Sequence, residues 1–175
     1  MALLEIVTLP EPVLRRKARK VTDFGPELQT LIDDMVETMR AAPGVGLAAP
    51  QVAQSLRLIV VEYAEESEDE NAEPAEPKLY TVVNPEITRT SEETVMGTEG
   101  CLSIPSILGD VERFEAITVK GQNRRGQPTT IKAKGWLARI FQHEIDHLDG
   151  IVFVDRAEKA WKVETQPGQV LIDNV

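Results

Sequence analysis

Both histidines of this 175-residue chain fall within QHEIDHLDG, residues 142–150. On a helix, residues four apart lie almost one above the other, so His143 and His147 can turn their imidazoles toward one metal ion. Glu144 then projects about 100° round the axis from His143. It stands beside the ion's open position, where a carboxylate can take a proton from water. H-E-x-x-H thus suggests a divalent metal with a carboxylate base. Catalytic centres of this type use three protein ligands. The candidates for the third are the single thiol, Cys101, and two downstream carboxylates, Glu158 and Glu164. Cys101 lies in MGTEGCLSIP, where Gly97 and Gly100 let the backbone approach a neighbour closely and Pro105 ends the segment. Those surroundings favour the thiol.

The elements that must hold these groups follow from periodicity. Leu28, Leu31, Ile32, Met35, Val36 and Met39 recur at helical spacing, and Pro26 is suited to a first turn, which predicts a helix over Pro26–Ala42. GVGLAAPQ, residues 44–51, reads as a glycine-hinged segment rather than a helix. The opening PEPVLRRKARKV reads as a turn and a short helix. Residues 55–63, 79–87, 115–123 and 129–135 are rich in Val, Ile and Thr and read as strands, the last two joined as a hairpin by NRRGQP. Helical spacing returns from Trp136 to Leu148, which puts H-E-x-x-H on a helix. The expected class is α+β, with small mixed or antiparallel sheets packed around that central helix.

The length suits one domain, 1–175. A net charge of −10 argues against nucleic acid or an anionic membrane as a direct partner, since both need a basic face. Much of the charge lies in AEESEDENAEPAEPK, residues 64–78, which reads as a solvated loop insertion. A lone cysteine asks for no oxidising compartment, and no apolar run approaches a membrane span, so the expected location is cytoplasmic. Residues 159–175 read as a short tail without a helical period.

GVGLAAPQ (44–51), EGCLS (99–103) and QHEIDHLDG (142–150), in that order, resemble the three signature motifs of the peptide deformylases. The opening IVTLPEPVLRRKARKV is similar to that family's first segment. The likeness covers roughly residues 5 to 156 and is more specific than any one motif. It implies a compact α+β fold and hydrolysis of the N-formyl group from N-formylmethionyl polypeptides, releasing formate. By position it implies Cys101, His143 and His147 as metal ligands and Glu144 as general base. Gln51 and the Leu102 backbone N–H would stabilise the oxyanion, and Gly46 would pair with the substrate backbone. The implied ion is Fe2+, with Zn2+, Ni2+ or Co2+ as replacements. The implied partners are nascent formylmethionyl chains, with the ribosome met transiently.

The glycines of GVG and MGTEG, Gly97 among them, suit an extended peptide lying along exposed backbone. Val45, Trp136 and Ile140 are candidates for a methionine pocket. Arg113 and Asp146 are expected to pair and steady the ligand helix, and Arg139 to reach solvent or a carboxylate. Leu108 stands where some bacterial members carry arginine, which bears on peptide affinity. Two rival readings remain open: a zinc peptidase with a downstream glutamate ligand, and a metal-stabilised binding module without activity. Glu144 and Gln51 count against the module, because neither is needed merely to hold metal.

Overall fold

A computed structural model describes residues 2–65 and 67–164. Two antiparallel sheets flank a helix. The larger sheet has the order β1 (Gly46–Ala48), β2 (Leu58–Tyr63), β3 (Lys78–Thr90), β6 (Ala116–Gln122), β7 (Pro128–Lys134). The smaller has the order β4 (Thr94–Cys101), β5 (Ile104–Phe114), β8 (Lys159–Lys162). Alternation along the strands sends residues to opposite faces of the larger sheet. Leu58, Val60 and Val83 pack with Ile32, Met35 and Met39 of α1 (Pro26–Ala41). Ile59, Val61, Val82 and Val119 pack with Leu137, Ile140 and Phe141 of α2 (Gly135–Leu148). This second helix also contacts β5 of the smaller sheet, so it lies between the two sheets. The expected α+β class, with antiparallel sheets about the H-E-x-x-H helix, is the fold observed.

Several local expectations need correction. Residues 44–51 contain β1 and open a 3-10 turn, Ala49–Val52. Pro50 supplies a pre-set φ in that turn, and the Gln51 side chain reaches back to accept from the Ala48 N–H at 2.9 Å. Strands β4, β5 and β8 escape the periodicity reading. Gly97, Glu99 and Gly100 interrupt β4, and Asp110, Glu112 and Arg113 interrupt β5. Their pairing is nonetheless extensive, from Thr94↔Phe114 to Cys101↔Ile104, with Leu102 and Ser103 as the two-residue turn of the hairpin. The tail contributes β8, which pairs with β5 through Leu108↔Trp161 and Asp110↔Lys159. Residues 165–175 of that tail lie outside the described residues. The acidic segment joins β2 to β3 without regular structure, and its described residues are mostly exposed.

Just after α2, Gly150 sits at φ +74°, and a Cβ there would lie 2.6 Å from the Arg15 carbonyl oxygen. Gly135 has φ +60° with open space around its missing Cβ. Left-handed backbone costs an L-residue roughly 1–2 kcal/mol. Gly135→Ala should therefore lose about 1 kcal/mol, and Gly150→Ala at least twice that because backbone must also move. Urea titration of both variants checks the contrast.

Candidate metal centre

The centre is assembled from the end of β4 and the middle of α2. Glu99 and Cys101 lie at the end of β4, on either side of an irregularity in its pairing with β5, and both are buried, Glu99 at 0% exposure. In α2 the four-residue spacing stacks His143 and His147, whose rings are 5.2 Å apart. Cys101 Sγ lies 3.4 Å from His147 Nε2. One ligand atom each from Cys101, His143 and His147 falls within 4.8 Å of the others, the only such group among the described residues. Glu158 is not part of it; its N–H donates to the Asp110 carbonyl in the strand-edge region. Glu164 is also outside the group.

Glu99 is the partner that sequence reasoning missed; its place inside EGCLS, two residues from Cys101, is the signal available in the sequence. Its Oε1 lies 2.8 Å from His143 Nδ1, and it also accepts from Arg113 Nε and Nη2, at 2.9 and 2.8 Å, and from Arg139 Nη1 at 2.6 Å. With Nδ1–H donating to Glu99, the His143 Nε2 lone pair is left for the ligand position. Arg113 continues to Asp146 at 2.7 Å, the pair expected from the sequence, and Asp146 also receives Arg156. Arg139 does reach a carboxylate, and it donates as well to the carbonyls of Val111 and Val95.

Burial opposes the charge on Glu99, but the hydrogen bonds from Arg113 and His143 outweigh it and hold its pKa well below the usual carboxylate range. Burial likewise opposes a charged His143, yet Cys101, Glu99 and Glu144 together raise its pKa well above the ordinary value. Burial and the neighbouring His143 push His147 the other way. Burial also lifts Glu144 to about 7. Its Oε2 is buried without a partner, and its Oε1 packs against Gly46, whose absent Cβ would lie 2.7 Å away. The thiol, the imidazoles and the unpaired carboxylate oxygen together fit a divalent ion with its water.

Gln51, 2% exposed, faces the same centre. With its Oε1 fixed by Ala48 N–H, its Nε2 donates to Ser103 Oγ at 3.2 Å and approaches Cys101 Sγ at 3.6 Å. The turn residue Leu102 follows Cys101 directly, and its side chain packs with the α1 core. The methionine-pocket candidates are less open. Ile140 is wholly buried in the core beside Phe141. Val45 belongs to the same core cluster at 9% exposure. Trp136, nearly two turns before His143, carries the Arg139 guanidinium over its ring at 5.3 Å. Gly97 is close-packed too, since a Cβ would lie 2.7 Å from Arg139 Cζ.

Comparison with known proteins places these features in context. The family described as Polypeptide deformylase matches residues 3–163. A peptide deformylase of Symbiobacterium thermophilum is 54% identical over 89% of this chain and 67% of its own length. One of Natranaerobius thermophilus is 46% identical over 94% of this chain and 98% of its own. Among solved structures, a peptide deformylase from Legionella pneumophila superposes with a TM-score of 0.79 at 43% identity, covering 90% of this chain and 87% of its own. One from Ehrlichia chaffeensis in complex with actinonin gives 0.81 at 40% identity, covering 91% of each.

Removing the shared carboxylate should be costly. Glu99→Gln leaves Arg139 buried without its counter-charge and Arg113 with Asp146 alone, a change of about 3–5 kcal/mol. It also weakens the orientation of His143, lowering metal affinity about 10–100-fold. Urea titration of the metal-free protein and competition against a chelator measure the two losses separately.

Proposed function

The chain belongs to the polypeptide deformylase family, and from that premise we propose how its residues divide the work. The reaction is hydrolysis of the N-formyl group from formylmethionyl polypeptides, releasing formate. In our reading Cys101, His143 and His147 hold the ion. When bound, it lowers the pKa of a water and polarises the formyl carbonyl.

Glu144 accepts the proton of the attacking water and returns it to the departing amine. The observation that carries this role is its buried, unpartnered Oε2 beside the three ligand residues. Gln51 Nε2 and the Leu102 N–H donate to the oxygen on which negative charge develops. Their support is preorganisation: Gln51 is locked by Ala48 and Ser103, and Leu102 sits in a tight turn. Oxygen gains charge only as the transition state forms, so donors fixed beforehand act on the rate.

The larger sheet ends at β1 and the smaller at β4, so among the described residues both strands present an unpaired edge. An extended formyl peptide can add along them, pairing with the Gly46 backbone. Gly97 serves this only by its backbone, since its Cα face is filled by Arg139. Val45, Trp136 and Ile140 remain the proposed methionine contacts. We take the ion to be Fe2+, with Zn2+, Ni2+ or Co2+ as replacements, because one thiolate with two imidazoles suits all four. The same reading has the chain act as one catalytic domain in the cytoplasm, meeting nascent chains transiently at the ribosome.

Anaerobically purified, iron- or nickel-loaded protein should release formate from formyl-Met-Ala-Ser, and Glu144→Ala should retain metal while losing nearly all turnover. Metal retention with full turnover in the variant would remove the base assignment. Gly46→Ala should lower kcat as well, because its methyl group would displace the Glu144 carboxylate.

A further inference from the structure

The segment before the first helical turn touches both halves of the centre. Ala2 N–H donates to Asp34 Oδ1 at 2.7 Å and Leu4 N–H to Thr38 Oγ1 at 2.9 Å, anchoring the segment's start on α1. Leu4 and Ile6 pack into the α1 core, and Leu9 packs into the cluster of Cys101, Ile104 and Phe153. Between these anchors, Val7 N–H donates to the Gln51 carbonyl at 2.8 Å and Leu9 N–H to the Ser103 carbonyl at 3.0 Å.

These two carbonyls are well placed to matter. Gln51 lies in the 3-10 turn that follows β1, and Ser103 is the second residue of the turn between β4 and β5. The turns adjoin different sheets, and among the described residues no strand pairing joins those sheets. Across the gap, the Gln51 side chain bonds only to Ser103 Oγ and, at 3.6 Å, to Cys101. The separation of the two turns is therefore set by the packing of α2 against the 3-10 turn and β5, by side-chain contacts and by the segment that grips both backbones.

We propose that residues 7–9 form a positioning strap whose Val7 and Leu9 N–H groups hold the carbonyls of Gln51 and Ser103 and so fix the spacing between the Gln51 amide and the Leu102 N–H. The inference rests on the oxyanion role proposed for those two donors. Val7 and Leu9 are positioning residues: they act through the residues they hold. Since the donors serve the transition state, loosening them lowers kcat and leaves KM and metal content in place.

The test compares zinc-loaded Val7→Pro, which deletes one strap donor, with Leu3→Pro, which places the same ring at an exposed position of the segment, and with Gln51→Ala. Loss of a whole oxyanion donor costs about 100–1,000-fold in kcat, so a displaced one should cost about tenfold. Val7→Pro is expected to show that loss at unchanged KM and metal content, with a shifted Gln51 side-chain amide resonance, while Leu3→Pro behaves as wild type. A Val7→Pro protein that melts earlier but turns over at the wild-type rate, beside a slow Gln51→Ala, would overturn the strap alone. Full turnover by Gln51→Ala would remove the oxyanion role and the strap together. Hydrogen exchange on the unaltered protein gives an independent reading should Val7→Pro not fold. Protected Val7 and Leu9 amides are expected, and exchange at unstructured rates would overturn the proposal.

Discussion

One buried carboxylate holds the centre together. Glu99, without solvent contact, binds two guanidinium groups and one imidazole. Those partners come from β5 and α2, so a single side chain fastens the ligand helix to the hairpin that carries the cysteine. A buried ion on this scale contributes little net stability once desolvation is counted. Its contribution is geometric, because only one arrangement of helix and hairpin satisfies all its acceptor positions at once.

The dependence explains why the inner face of the smaller sheet is so polar near α2. Where the larger sheet meets α2 through Ile59, Val61 and Val119, the smaller one meets it through Glu99, Arg113 and Arg139. Arg139 also satisfies the carbonyls of Val95 and Val111. Gly97 has no side chain because that guanidinium occupies its place. Charge within the packing here takes the role that interdigitated methyl groups have on the other side.

This contrast also sets what the sequence discloses. The helices are legible from apolar residues at helical spacing and the strands β2, β3, β6 and β7 from runs of Val, Ile and Thr, and the candidate ligand trio is legible because only a few residue types bind metals. Strands β4 and β5 are not, since among their inward positions Val111 is flanked by Gly109 and Arg113 and faces Gly97, with Glu99 beyond, so no apolar alternation is sustained. Arg113 with Asp146 could be guessed from charge, but for Glu99 the sequence offers only its place inside EGCLS. The short strand β1 and the turn after it are held by a side chain bonding to backbone, which hydrophobic periodicity does not encode.

Cys101, His143 and His147, the residues proposed to hold the ion, come from a strand and a helix separated by the whole β5–β6–β7 region of the chain. An ion joining them is therefore a cross-link, closing a loop of some forty residues whose ends would otherwise wander in the unfolded state. Closure entropy grows as about (3/2)RT ln n, and metal affinity gained only in the folded state adds to folding free energy. Losing such an ion, or oxidising the one thiol proposed to hold it, would remove a staple as well as a reagent. In such a chain, ageing of the catalyst and loosening of its architecture proceed from the same event.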